Sequence, residues 1–354
     1  MRKRFLDNLR WGTVLLVLIY HVFYIYNAEG VPGGIGPFAE LQYQDVYMYF
    51  VYPWFMVLLF LIAGVSARYA LKEQTPRAFL RARTHRLLVP STLGLFVYHW
   101  LGGWLYITRI GGDTSGDIPV ALRYPIAAVS GTGPLWFIQL LWLFSLLLLL
   151  VRRLDRGDRF YKLCGTATLP VLLALFVPVW GAAQILNAPA ITTYRFGIYF
   201  AAFLLGYFVF AHDAVQERLA KRWMPLLLAA LAAGVAYTIY FFGQNYTDDA
   251  CLKHVFTNAY LWLMVLALLG TGRARWDRTS RFADYMTRSE FGIYVVHYVI
   301  ALYACWALKT FTALPPVCDY LLSVATVLLG SPAVYELLRR VPVLRWLLFG
   351  IGRR

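Results

Sequence analysis

Apolar residues run along this chain in blocks of roughly 16 to 22, separated by short basic stretches, with no two-residue alternation between them. Blocks of this length suit helices that cross a bilayer core of about 30 Å. A helix satisfies its own backbone polar groups there, and an open strand does not. The pattern predicts ten spans, at about residues 8–26, 46–67, 88–107, 134–151, 166–184, 196–211, 224–243, 254–271, 290–308 and 317–338. The expected fold class is all-α: a polytopic transmembrane helical bundle, forming one integral domain over residues 1–354.

Composition agrees. The chain is 60% hydrophobic and only 14% charged, with a mean hydropathy of +0.59. A soluble domain of 354 residues would carry far more charge. The net charge of +15 invites a nucleic-acid reading, but its distribution argues against that partner. With the N-terminus placed in the cytoplasm, 28 of the 33 Lys and Arg residues fall on that side. Only Arg109, Arg123, Arg195, Lys253 and Lys309 fall on the other. The bias holds at every loop, which is the positive-inside pattern, and both termini are expected to be cytoplasmic.

Arg2-Lys3-Arg4 before an apolar run resembles a signal peptide, but Arg10 interrupts the run and no small-x-small site follows it, so cleavage is not expected. The four cysteines form no CxxC and no metal spacing, and no bound metal is expected. Cys251 and Cys318 both fall near the outer face, and whether they pair stays open. The longest outer loops, 28–45 and 110–133, are rich in Gly and Pro and are not expected to be regular helix. They serve either as binding segments or as connectors. No internal repeat is visible.

Charge inside spans is costly and marks candidate function. Arg10 and His21 are eleven residues apart in the first span. At 100° and 1.5 Å per residue they share a face, about 20° and 16 Å apart. Asp7, three residues before Arg10, can pair with it. An oriented guanidinium of this kind binds anionic or carbonyl oxygens, or else simply flanks the span. His21, with Tyr24 at i+3, is either a general base or an interhelical hydrogen-bonding group.

Arg77, Arg81, Arg83 and Arg86 crowd the entry to span 3 more densely than topology requires. They suit phosphate groups, or else lipid headgroups. Glu290, Tyr294 and His297 form a second polar stripe in span 9, lining a cavity or bonding to a neighbouring helix. His99, in mid-span, is a further candidate to face a cavity, whereas His85 and His212 fall in basic loops and are expected in solvent; His254 opens span 8. There is no GxSxG, Walker-type loop, HExxH or Rossmann glycine pattern.

Several pieces, in order, resemble the acyltransferase 3 family of integral membrane acyltransferases. Leu6-Asp7-Asn8-Leu9-Arg10 with His21 resembles the family's arginine-ten-residues-histidine motif. Phe60-Leu61-Ile62-Ala63-Gly64 resembles its second-helix motif, and the run from Phe79 to Leu87 with Pro90 resembles its basic entry to span 3, which carries an Arg-x-x-Arg pair. Leu135-Trp136-Phe137, Phe203-Leu204-Leu205-Gly206-Tyr207 and Ile293-Tyr294-Val295-Val296-His297 also fit. The start is most similar to glucan-biosynthesis C proteins, which decorate periplasmic glucans. Trp11 and Ala63 depart from the pattern, which bears on acceptor identity.

The resemblance implies transfer of an acyl group, acetyl or succinyl, from cytoplasmic acyl-CoA to a hydroxyl of an extracytoplasmic glycan or similar acceptor. It implies a multi-pass protein of a bacterial inner membrane. Acyl-CoA would act as co-substrate, with no bound cofactor. His21 would be catalytic with Arg10 and Asp7, while Arg81, Arg83 and Arg86 would hold the donor. Tyr24, Glu290, Tyr294 and His297 would line the cavity. The competing expectation is a transporter or exporter of a polar lipid or glycan. The missing repeat speaks against it. A membrane hydrolase is disfavoured because no nucleophile or metal pair is visible.

Overall fold

The computed structural model describes residues 3–29, 34–189 and 193–352. Arg2, the Val31-Pro32-Gly33 part of the loop 28–45, Arg353 and Arg354 lie outside the described residues. The chain is helical almost throughout; the described strands are Asn187–Pro189 and Thr193–Arg195, paired antiparallel with Asn187 opposite Arg195.

Among the described residues, seven helices are long and apolar enough to cross a membrane, or nine if each of two sharply bent pairs counts as one span. The seven are Arg4–Ile25, Tyr43–Glu73, Gly133–Val151, Trp223–Phe241, Val255–Arg275, Arg281–Phe311 and Pro316–Leu338. The bent pairs, at the predicted spans 166–184 and 196–211, are Arg156–Cys164 with Leu169–Ala183 and Phe196–Phe210 with Asp213–Ala220. This is an integral, multi-pass membrane protein.

The predicted span 88–107 falls in a helical run over residues 76–110 that is not a simple α-helix. Three π turns interrupt it, Thr84–Leu88, Leu95–His99 and Tyr106–Ile110, each starting eleven residues after the last. A π turn closes over one residue more than an α turn, so the run underwinds toward four residues per turn. The buried residues follow that period: Leu87, Ser91, Leu95, His99, Gly103 and Ile107. At an unbroken α pitch the first and last of these would point about 160° apart.

Contacts divide the chain into two compact units. The first comprises residues 1–13, 46–79 and 144–287. Its centre is the crossing of the Phe55–Glu73 and Phe196–Leu205 helices, where backbone meets backbone. A Cβ added to Gly64 would lie 1.9 Å from the Phe203 carbonyl oxygen, and one on Gly206 would lie 2.0 Å from that of Leu61. Small residues at such crossings let membrane helices gain dispersion contact without a hydrophobic driving force. Trp262, wholly buried, donates from Nε1 to the Leu172 carbonyl at 2.9 Å. Phe5 and Leu9 of the first helix pack on Gly272, and Asn8 donates to the carbonyls of Trp276 and Arg278.

The second unit comprises residues 14–45, 80–143 and 288–354. Here the 76–110 run is tied to the Arg281–Phe311 helix by Tyr98 donating to the Val296 carbonyl and Tyr303 to that of Leu101, each at 3.1 Å. The stretch 110–133 contains a helix that its turn residues did not foretell, Val120–Ser130. Gly111, Gly112 and Gly116 precede it and Gly131 and Gly133 follow it, while the interior is mostly Ala, Val, Leu and Ile, with Arg123, Tyr124 and one proline, Pro125. The glycines punctuate the helix; they do not fill it.

Four of the five basic residues on the sparse side are used locally. Arg195 is 1% exposed and donates to the Leu252 carbonyl. Lys309 donates to the carbonyls of Gly36 and Pro37, Arg123 to that of Ile118, and Lys253 pairs with Asp249. All four cysteines are free; Cys251 is buried, with its sulfur 3.3 Å from the Tyr237 hydroxyl.

Gly64→Leu or Gly206→Leu should each destabilise the protein by at least about 1–3 kcal/mol, the usual cost of overpacking. Gly12→Ala, where a Cβ meets nothing within 4 Å, should change nothing. Thermal ramps followed by size-exclusion chromatography of the three variants check this. Wild-type melting of the Leu variants would refute the crossing as the centre of this unit.

Candidate active site

The second unit brings two of the expected residues into direct contact. His21, near the end of the Arg4–Ile25 helix, faces His297 of the Arg281–Phe311 helix, with ring centroids 4.9 Å apart. His21 Nδ1 lies 2.8 Å from the Val17 carbonyl oxygen, one turn back on its own helix, and 3.1 Å from His297 Nε2. His297 Nδ1 lies 2.6 Å from the Tyr294 carbonyl oxygen.

These contacts fix the protons. A carbonyl oxygen only accepts, so each Nδ1 must carry its hydrogen. Neutral His297 therefore presents a lone pair at Nε2, and His21 Nδ1–H donates to it and to Val17 together. The opposite tautomers would set two lone pairs against two carbonyl oxygens. Neutral His21 is left with its lone pair on Nε2, an atom that bonds to nothing among the described residues. This is how an oriented imidazole base is made: one nitrogen is held by an acceptor and the other is left to take a proton.

The surroundings are aromatic. Tyr20, Tyr24 and Tyr298 set their rings edge-on to His21, with centroids at 5.5, 6.3 and 5.0 Å. Tyr294 stands 5.4 Å from the His297 ring and donates its hydroxyl to the Pro134 carbonyl. Phe137 meets Tyr294 edge-on at 5.8 Å. Thus the Leu135-Trp136-Phe137 and Ile293-to-His297 motifs, 158 residues apart from first residue to first, are neighbours in space.

His99 is wholly buried in the same unit, and neither of its ring nitrogens has a hydrogen-bond partner among the described residues. It sits at the end of the second π turn, where the backbone is pressed against Gly131: a Cβ there would lie 1.9 Å from the His99 carbonyl oxygen. A Cβ on Gly133, whose φ is +41°, would strike the Tyr298 ring at 2.6 Å. The Gly131-Thr132-Gly133-Pro134 turn therefore forms one wall around the histidines. Tyr298 was missed in the sequence, although it lies four residues beyond Tyr294 and so continues the polar stripe of that helix.

The remaining candidates are placed as follows. Glu290 is buried, 7% exposed, in the second unit. Arg81 and Arg86 are exposed and Arg83 half-buried, at the start of the 76–110 run, also in the second unit. The Arg86 guanidinium lies 5.2 Å from the Phe291 ring centroid. Asp7 and Arg10 are paired at 3.1 Å within the first unit. His85 is exposed as expected; His212 is not in solvent but stacked on Tyr161 at 3.9 Å. No group of three or more His, Cys, Asp and Glu residues able to hold a metal ion occurs among the described residues.

A helical multi-pass membrane protein with an oriented imidazole buried among tyrosines is suited to proton transfer away from water. The acyltransferase 3 family model, an acyltransferase domain, matches residues 3–336, and the chain belongs to that family. It is a membrane acyltransferase. No curated protein and no solved structure matches it.

Ring-labelled histidine ¹⁵N NMR should find His21 protonated at Nδ1 and bare at Nε2, with the signal assigned by its loss in His21→Gln. His297→Phe should shift the His21 Nδ1 resonance. A proton on Nε2 in the wild type would overturn the arrangement.

Proposed function

We propose that the protein transfers an acyl group, acetyl or succinyl, from acyl-CoA to a hydroxyl of an extracytoplasmic glycan or similar acceptor, with His21 as general base. The observation that carries this reading is the free Nε2 of His21, opposite an Nδ1 held by Val17 and His297.

His21 Nε2 takes the acceptor's hydroxyl proton as that oxygen attacks the thioester carbonyl carbon. The carbon–sulfur bond then breaks. The proton passes from His21 to the departing thiolate, giving an ester and free CoA and restoring neutral His21. While it is charged, the imidazolium donates to the Val17 carbonyl and the His297 lone pair, so the transient charge is hydrogen-bonded at once. His297 thus acts through His21 and is a positioning residue.

Arg81, Arg83 and Arg86 would hold the donor's phosphates at the basic side, taken as cytoplasmic by the charge bias. Arg10, oriented by Asp7 on the helix that carries His21, would bind a donor oxygen. Tyr24, Glu290 and Tyr294 would line the path to the base. The bacterial inner membrane is the proposed location, since acceptors of this kind lie outside it and acyl-CoA inside. The alternative, a transporter or exporter of a polar lipid or glycan, predicts movement without a covalent product.

The test is incubation of inside-out vesicles with radiolabelled acetyl-CoA, followed by chromatography of the labelled acceptor. His21→Ala should lower turnover by about 10²–10⁴-fold at unchanged protein abundance, the usual contribution of a positioned base. His297→Phe should lower kcat by about tenfold or more while leaving KM for the donor alone. Arg83→Ala with Arg86→Ala should instead raise donor KM. Native turnover in His21→Ala removes the base; translocated but unlabelled acceptor favours the transporter.

A further inference from the structure

One groove in the first unit belongs to none of the machinery above. It has a volume of about 1120 Å³ and lies between the end of the Trp136–Val151 helix, the short Arg159–Cys164 helix, the Leu169–Ala183 segment and the Phe196–Phe210 segment. The 101° bend between Arg156–Cys164 and Leu169–Ala183 creates it.

The bend is built into the fold. Arg68, 5% exposed, forms a two-pronged ion pair with Asp158 at 3.0 and 2.9 Å, and its guanidinium lies over the Tyr161 ring at 3.5 Å. The Arg68 hydrogen bonds hold the Asp158 carboxyl below the usual carboxylate range. His212 stacks on the same ring, and its Nε2–H donates to the Tyr161 carbonyl at 2.8 Å. Arg218 donates to the carbonyls of Gly165 and Ala167 at 3.0 and 2.8 Å, capping the corner itself. Five groups thus hold the short helix against the turn that follows, so the groove persists as a fixed recess.

Its lining is divided. Leu163, Val171, Leu175, Leu204, Leu205 and Phe208 form an apolar trough, and Arg156 and Arg159 also line it. Both arginines are exposed, and neither makes an ion pair among the described residues. Asp155, the one carboxylate in the lining, accepts from the backbone N–H groups of Phe160 and Tyr161. Leu154, Phe160 and Leu163 are 83%, 53% and 66% exposed beside these charges. A short helix with bare leucine and phenylalanine on one side and unpaired arginine on the other suits a lipid–water interface.

We propose that this groove is a binding site for an anionic phospholipid. Arg156 and Arg159 hold the headgroup phosphate, and an acyl chain lies along Leu163, Val171, Leu204 and Phe208. Two guanidiniums whose charge no side chain cancels favour a headgroup of net negative charge over a zwitterion. The trough supplies what a free phosphate would leave empty.

Full-length protein, delipidated in detergent, is titrated with dioleoylphosphatidylglycerol or dioleoylphosphatidylcholine and read by native mass spectrometry. The first phosphatidylglycerol should bind more tightly than phosphatidylcholine. Arg156→Ala with Arg159→Ala should weaken it roughly thirty-fold and bring the two lipids level, as expected for two surface charges. Val171→Trp, which fills the trough from an exposed position, should reduce binding of both lipids, and Arg340→Ala, an exposed charge elsewhere, should reduce neither. Equal affinity for the two lipids in the wild type, or unchanged affinity in the double variant, means non-selective annular lipid only and overturns the site. The readout is lipid mass, so either result stands apart from the role of His21.

Discussion

Inside a bilayer a polar atom without a partner has no water to turn to, and this constraint shapes the whole chain. It explains why His21 can be oriented so simply. Val17 lies one turn earlier on the same helix, and its carbonyl oxygen sets the proton on Nδ1. His297, itself oriented by the Tyr294 carbonyl, offers a second acceptor. Two backbone carbonyls, both products of ordinary helix geometry, therefore decide which nitrogen of His21 keeps its lone pair. The same constraint sends three tyrosine hydroxyls of this unit, those of Tyr98, Tyr294 and Tyr303, to backbone carbonyls.

Close backbone approach is the second organising principle, and it accounts for the separated motifs of the family. Phe60-to-Gly64 and Phe203-to-Tyr207 are distant in sequence, yet Gly64 and Gly206 are the two sides of one helix crossing. Leu135-Trp136-Phe137 and Ile293-to-His297 likewise meet through Phe137 and Tyr294. Ala63, one of the two departures from the motifs, neighbours the crossing glycine and lies in the first unit, whereas His21 and His297 lie in the second. The two motif pairs thus do different work: one packs helices, the other surrounds the paired histidines.

Basic residues divide in the same way. Arg195 and Lys309, which depart from the charge bias, spend their donors on carbonyls close by. Arg68 and Arg218 are consumed in holding a bend. Arg156 and Arg159 are left over, beside an apolar trough. What separates structural from recognition arginines here is whether the donors are already occupied, and residue type carries no trace of that.

Long apolar blocks with charges on one side of each were enough to establish a multi-pass helical membrane protein, because length and hydropathy answer directly to bilayer thickness. The i, i+11 spacing of Arg10 and His21 and the stripe through Glu290, Tyr294 and His297 were also legible, since helical period is a local property. The partnership of His21 with His297 was not, because it joins residues 276 apart through a tertiary contact. Nor was the common face of Leu87, His99 and Ile107, for three π turns alter the period and no residue pattern announces them. Sequence by itself determined that the long apolar segments are helices, though not the short Val120–Ser130 helix. Only the tertiary structure decided what meets His21 beyond its own helix, because His297, the second acceptor at Nδ1, is supplied by a different helix.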